Sequence, residues 1–414
     1  MKRIESMFAR EILDSRGLPT VEVEITISGG FLGRASVPSG ASTGSYEAYE
    51  LRDGDNKRYN GKGVLNCVHF INSELRLAFV GREWNQGTLD KTLCALDGTE
   101  QKGRLGANSI LGVSLAFAHA SACAHEVPLF EYFNEIAPFY SEKKMPIPMM
   151  NVLNGGRHAM QSTDIQEFMI VPNGVRSYRE SLRCGSEIFY TLKSILVEKG
   201  FLTAVGDEGG FSVSLSSNEE ALQLLVSAIE RAGYIPGKDV SLALDVAASE
   251  LFANNIYTFS SEKKSFTSAE LIALYSEWKK KYPLISIEDG LAEDDWDGYE
   301  VLTKQLGQEV QIVGDDLFVT NEKRLKKGIE KKVANAILIK LNQIGTVTET
   351  FETIRVARDA GYKIIISHRS GETEDTTIAD FAVGVGADYI KTGSLSRTER
   401  VAKYNQLLRI EELL

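Results

Sequence analysis

The chain is 414 residues long, 43% hydrophobic and 25% charged, a composition that excludes disordered, collagen-like and coiled-coil classes. At roughly 150 residues per domain the length points to two or three domains, fewer if one is a barrel of about 250. Forty-six basic against 57 acidic residues leave a net charge of −11, which argues against nucleic acid or an anionic membrane as partner. Cys67, Cys94, Cys123 and Cys184 lie far apart with no Cys-x-x-Cys pair, so neither a disulfide scaffold nor a structural zinc site is expected. A reducing cytoplasm is the simplest location. Lys2, Arg3, Glu5, Arg10 and Glu11 interrupt any apolar stretch that could serve as a signal peptide.

In chain order, residues 20–27 (TVEVEITI) alternate with the period of a strand that buries one face. Ser28, Gly29 and Gly30 turn the chain, residues 31–37 return as a hairpin partner, and residues 10–13 add a third strand to an antiparallel meander. Residues 63–137 change to helical spacing. They include an uncharged stretch at 105–125 whose Asn108, Ser109, Ser114, His119 and Ser121 mark a buried helix rather than a membrane span. Strands followed by helices describe an α+β domain. The polar, proline-bearing residues 141–148 are the boundary, placing this domain at 1–140 and a second at 141–414.

Beyond the boundary short apolar runs recur at 241–245 (SLALD), 284–289 (LISIED), 310–316 (VQIVGDD), 336–340 (AILIK), 363–368 (KIIISH) and 387–391 (ADYIK). Amphipathic stretches separate them, such as 267–282 with its Thr267-x-x-Glu270 capping box. Repeated strand and helix units, with strands apolar on both faces, predict a closed parallel barrel; an open doubly wound sheet is the alternative.

Each of the six runs ends in a side chain able to bind a metal or move a proton: Asp245, Glu288, Asp315, Lys340, His368 and Lys391. In a parallel barrel the C-terminal strand ends open on one mouth, so these six converge. A lone carboxylate after a strand is ordinarily a helix N-cap, and a lone lysine a surface group with its stem on apolar neighbours. Recurrence at one structural position argues instead for a site. Three hard oxygen ligands without a thiol suit Mg²⁺. Lys340 and Lys391 follow apolar strands, where burial and mutual repulsion are expected to lower their pKa values and make a proton acceptor.

Glu208 sits in the glycine-rich turn 206–210 (GDEGG), where a carboxyl can approach a ligand closely, although a plain turn reads the same way. His368, Arg369 and Ser370 combine a guanidinium and a hydroxyl suited to phosphate. Residues 38–44 (PSGASTG) read as an anion-binding or lid loop but lack the lysine of a nucleotide-binding loop. Residues 391–393 (KTG) lack a Ser-x-x-Lys partner, and Gly384-x-Gly386 precedes a strand, so neither carries a function by itself. His119 and His125 face different directions on one helix and read as packing or surface residues.

Together these residues carry a resemblance. The chain is similar to the enolases, of the bacterial type, over essentially its whole length. The matching segments are DSRG at 14–17, PSGASTG at 38–44, NGG-x-HA at 154–159, QEFM at 166–169, GDEGG at 206–210, SIEDG at 286–290, GDDLFVTN at 314–321, IKLNQIG at 339–345, SHRSGETED at 367–375 and IKTGS at 390–394. The resemblance implies a (β/α)8-type barrel of the enolase kind with an N-terminal α+β cap, atypical in its first units and with one antiparallel strand. It also implies a Mg²⁺-dependent lyase that interconverts 2-phosphoglycerate and phosphoenolpyruvate in glycolysis and gluconeogenesis. Lys340 would take the carbon-bound proton, Glu208 would assist loss of the hydroxyl, and Glu167, His158 and Lys391 would complete the acid-base surroundings. Gln166, His368, Arg369, Ser370 and Lys391 would bind substrate. Asp245, Glu288 and Asp315 would hold one Mg²⁺ and Ser42 would meet a second, two per active site.

The resemblance further implies a homo-oligomer, dimer or octamer, in the cytoplasm, with a secondary cell-surface or secreted pool and neither nucleic acid nor a membrane span. A related dehydratase or racemase acting on an acid sugar is one competing reading. A scaffold or surface-binding role on the same fold is the other. Leu18 departs from the asparagine usual after DSRG, where a left-handed turn would strain a branched residue. Met160-Gln161 and residues 210–213 (GFSV) depart as well.

Overall fold

The alternation at residues 20–27 builds the centre of a small sheet. The computed structural model describes residues 1–40, 45–156 and 162–414. In it β1 (Lys2–Leu13), β2 (Pro19–Ile27) and β3 (Phe31–Ser36) form an antiparallel meander, and β4 (Glu83–Trp84) pairs with the other edge of β1. β1 begins well before the expected 10–13, and a bulge between Ile4 and Ser6 breaks its alternation, so that Ile4 and Met7, three apart, are both buried.

Val21, Val23, Ile25 and Ile27 are buried, and helix Ala107–His125 packs on β2 and β3. Its apolar window is long enough to cross a membrane, but 83% of that window is buried inside the protein. At Gly33 the helix comes so near that a Cβ would lie 2.1 Å from the Ala116 carbonyl oxygen, which only glycine avoids. Leu18 is not strained, because the left-handed residue of its turn is Gly17, with φ of 72°.

The rest of the chain forms the barrel. β5 (Ile147–Asn154) and β6 (Glu167–Val171) pair antiparallel, and β7 (Phe211–Ser212) pairs parallel with the end of β5. β8 (Ser241–Asp245) pairs antiparallel with β6. A three-stranded sheet, β9 (Phe252–Ala253), β10 (Ile256–Phe259) and β11 (Lys264–Phe266), leads to helix Ser268–Lys281, whose Thr267–Glu270 capping box is formed. β12 (Leu284–Glu288), β13 (Gln311–Gly314), β14 (Ala336–Ile339), β15 (Lys363–Ser367) and β16 (Tyr389–Lys391) continue parallel to β8, and β16 pairs with β5.

That last pairing closes an eight-stranded barrel and excludes the open sheet; β6 is its antiparallel strand. All six apolar runs are barrel strands. Met149, Met169, Val171, Ala243, Val313, Ala336, Leu338 and Ile365 form an apolar core of their own, distinct from the main one. The cap meets the mouth where Ser39 and Gly371 exchange backbone hydrogen bonds of 2.8 and 2.9 Å and the Ser15 N–H donates to the Glu372 carbonyl (2.7 Å).

Candidate active site

Parallel strands deliver their last residues to the mouth: Asp245 from β8, Glu288 from β12, Lys391 from β16, with Asp315, Lys340 and His368 directly after β13, β14 and β15. Because β6 runs the other way, its first residue reaches the same end, and Glu167 stands in register with Asp245. Glu208 comes from the 206–210 turn, closed by the Gly206 N–H on the Gly210 carbonyl (2.8 Å) and tied to the chain after β16 by the Ser394 N–H on the Glu208 carbonyl (2.8 Å). Gly209 has φ of 89°, and a Cβ there would fall 2.4 Å from the Ser396 carbonyl oxygen. Gln166, Glu167, Glu208, Asp245, Asp315 and Lys340 line one pocket with His368, Arg369, Ser370 and Lys391. Glu288 joins through Lys391. Ser42, His158, Met160 and Gln161 lie outside the described residues.

Two ammonium groups organise the charge. Lys391 Nζ donates to Asp245 Oδ2 (2.7 Å) and Glu288 Oε1 (2.8 Å) and lies 3.2 Å from Glu167 Oε1. Lys340 Nζ donates to Asp315 Oδ2 (2.5 Å), whose Oδ1 accepts from Gln343 (3.1 Å). Burial pulls both lysine pKa values down, yet Asp315 at Lys340, and Asp245, Glu167 and Glu288 at Lys391, outweigh it, so both stand above the ordinary value. This corrects the expectation of lowered lysines. Repulsion from Arg369 and Lys391 does act on Lys340, but it is weaker than the pull of Asp315. Burial also works against ionised Asp315, but Lys340 brings its pKa below the usual aspartate value. Glu167 and Glu288 are raised, by burial first and then by the carboxylates beside them.

On another side of the pocket Glu208 Oε2 accepts from Asn151 Nδ2 (3.1 Å) and faces His368 Nε2 (3.4 Å). Arg369 donates to Glu47 (3.0 Å) and to Asn342 Oδ1 (2.9 Å). Glu47 also accepts from Gln343 (3.2 Å), the residue that donates to Asp315, so one cap carboxylate touches two parts of the mouth. Glu47, Asn151, Asn342 and Gln343 were not found by the sequence reading. Asn342 and Gln343 lie within the recognised 339–345 segment, and Glu47 follows the loop 38–44, so nearness to those motifs was the one available signal.

Asp289 and Asp316 were also missed as members of the site. Asp289 accepts the N–H groups of Asp315 (3.0 Å) and Asp316 (2.7 Å) and so holds the chain after β13. One ligand atom from each of Asp289, Asp315 and Asp316 lies within 4.8 Å of the others, as do atoms of Glu167, Glu208 and His368.

The donor set fits a divalent cation. Glu288 is fully buried, and among the described residues its Oε2 has no hydrogen-bond partner, which is costly for a carboxylate oxygen unless a cation meets it. Asp245, Glu288 and Asp315 are hard oxygen donors, with no thiol among them, as Mg²⁺ prefers.

Two family models match the chain. "Enolase, N-terminal domain" matches residues 4–133, and "Enolase, C-terminal TIM barrel domain" matches residues 142–414. The second spans well over half of the sequence, and the closed barrel with its charged mouth agrees with it: the chain belongs to the enolase family.

Proposed function

We propose that the protein interconverts 2-phosphoglycerate and phosphoenolpyruvate in glycolysis and gluconeogenesis, as a phosphopyruvate hydratase. The observation that carries this reading is that Lys340 and Glu208 line the same pocket as Arg369, Lys391 and the acidic strand ends. Membership of the enolase family supports lyase chemistry on a small molecule.

Removing a proton beside a carboxylate gathers two negative oxygens on one carbon, so positive charge must stand ready in the site. Lys340 accepts the carbon-bound proton. It can do so only as the free amine, which requires the charge of Asp315 to be engaged elsewhere when the base acts. The electron pair left on carbon becomes the new double bond, and the hydroxyl departs with a proton from Glu208 as water. Burial and the proximity of Glu208 raise the Glu167 carboxyl well above the usual glutamate value.

Lys391 and Arg369 provide cations for the substrate's negative groups, with Gln166, His368 and Ser370 beside them. Mg²⁺, one ion held by Asp245, Glu288 and Asp315 and a second met by Ser42, would add positive charge against carboxylate and phosphate, as is general for the enolase superfamily. His158 belongs to the acid-base surroundings. The reading extends to a bacterial-type homo-oligomer, dimer or octamer, of the cytoplasm.

The test follows phosphoenolpyruvate formation by ultraviolet absorbance with Mg²⁺, with chelator, and in Lys340→Ala. Turnover is expected only in the wild type with Mg²⁺. Activity that survives in Lys340→Ala would sink the mechanism, and an inactive wild type with Mg²⁺ would sink the assignment.

A further inference from the structure

We infer that Arg400 is a positioning residue that fixes the tautomer of His368 and so aims the imidazole N–H at Glu208; the inference rests on the role proposed for Glu208. Arg400 lies on helix Thr398–Glu411 and is fully buried. Its Nη1 donates to His368 Nδ1 (2.6 Å) and to the Arg369 carbonyl (2.6 Å), and its Nη2 to the Ser370 carbonyl (2.6 Å) and the Asp207 carbonyl (3.2 Å). A guanidinium has donors only. His368 Nδ1 must therefore accept, and the imidazole hydrogen is confined to Nε2.

That nitrogen lies 3.4 Å from Glu208 Oε2, the oxygen that already accepts from Asn151 (3.1 Å). With Asn151 donating to Oε2 and the His368 N–H facing it, Glu208 acting as the acid carries its hydrogen on Oε1. A chain from Arg400 through His368 thus decides which oxygen of the proposed acid delivers the proton. Burial pushes His368 down to about 4, so the ring is neutral at physiological pH, as a single N–H requires. The choice of arginine follows from the four acceptors: a planar fork reaches both the 206–210 turn and the chain after β15, whereas an ammonium on one stem cannot.

The tautomer is directly measurable. The chain has five histidines, so full-length protein with ¹⁵N-histidine gives a short set of two-bond proton–nitrogen correlations, and His368→Gln identifies the His368 signals by their loss. Wild type is expected to show a protonated Nε2 and a bare Nδ1; a protonated Nδ1 would overturn the inference. In folded Arg400→Met the single hydrogen is expected to be shared between the two nitrogens as a mixture of tautomers, and an unchanged tautomer would overturn the inference as well.

Turnover of Arg400→Met should fall about tenfold or more, within the range of general acid catalysis. In a His368→Gln background, where the amide has no tautomers, the same change should cost less than about twofold. Equal losses in both backgrounds would show that Arg400 only supports the loops. If Arg400→Met does not fold, the wild-type spectrum decides. An inactive wild type would overturn the function proposed above, while the state of Nδ1 would still decide the present inference.

Discussion

Two layers of one barrel are both largely hidden from solvent and chemically opposite. Met169, Ala243 and Leu338 belong to the apolar core inside the barrel, and two residues further toward the mouth stand Glu167 and Asp245 on the same strands and Lys340 just past the end of β14. Residues two apart face the same side of a strand, so one full repeat of the pleat separates dry core from charged site. Glu167, Asp245, Glu288 and Lys391 are each at most 4% exposed. Burial by itself therefore says nothing about role. The apolar layer is stabilised by leaving water; the charged layer persists only because cations and carboxylates meet there, and removing one member leaves the others buried without compensation.

The sharpest test of that contrast is Lys340→Ala, expected to lower turnover about 10³-fold by removing the proton acceptor, with the fold intact by circular dichroism. A fall of less than tenfold would place the base elsewhere. Lys391→Met strips Glu167, Asp245 and Glu288 of their shared ammonium. It should destabilise the protein by about 3–5 kcal/mol in denaturant unfolding with chelator present. Leu338→Ala, in the apolar layer, should cost about 3 kcal/mol of stability while turnover of the folded protein changes less than about twofold. A larger loss of turnover would mean that the layers are not separable.

The smallest expected effect lies outside both layers, where a buried carboxyl joins cap to barrel. Asp90 accepts the Thr348 N–H (2.9 Å) and hydroxyl (2.6 Å), and burial raises its pKa against those hydrogen bonds. A carboxyl raised in the folded state contributes its full stability below 3.8, the ordinary value, where it is protonated folded or unfolded, and loses it as pH rises through the folded value. Asp90→Asn should flatten that decline, with a net change of about 1 kcal/mol or less at neutral pH. A slope identical to wild type in urea titrations from pH 4 toward neutrality would show that Asp90 does not titrate there.

The six apolar runs were legible because each combines a short buried strand with one charged residue at its end. The first two barrel strands were not. Residues 141–148, with two prolines, read as a boundary although β5 begins within them, and β6 pairs antiparallel with β5, so the expected rhythm of parallel strands does not announce it. The antiparallel direction of β6 also explains how a strand's first residue, Glu167, arrives beside the last residue of β8. Asp289 and Asp316 stood in plain view next to Glu288 and Asp315, but one residue along a strand reverses the direction of a side chain, and only the register shows which carboxylate faces the pocket.

The sequence by itself determined the class of architecture, the family and most members of the mouth, because strand periodicity, glycine turns and recurring charged ends are local signals. The tertiary structure alone decided the pairings: Lys391 among three carboxylates, Lys340 on Asp315, Glu47 on Arg369, and Arg400 on His368. Those partners lie 25 to 322 residues apart along the chain. Their meeting depends on barrel closure and on the seating of the cap. For that reason the sign of the lysine shifts could not be read from composition: it is set by which carboxylate lies nearest, and nearness is a property of the fold.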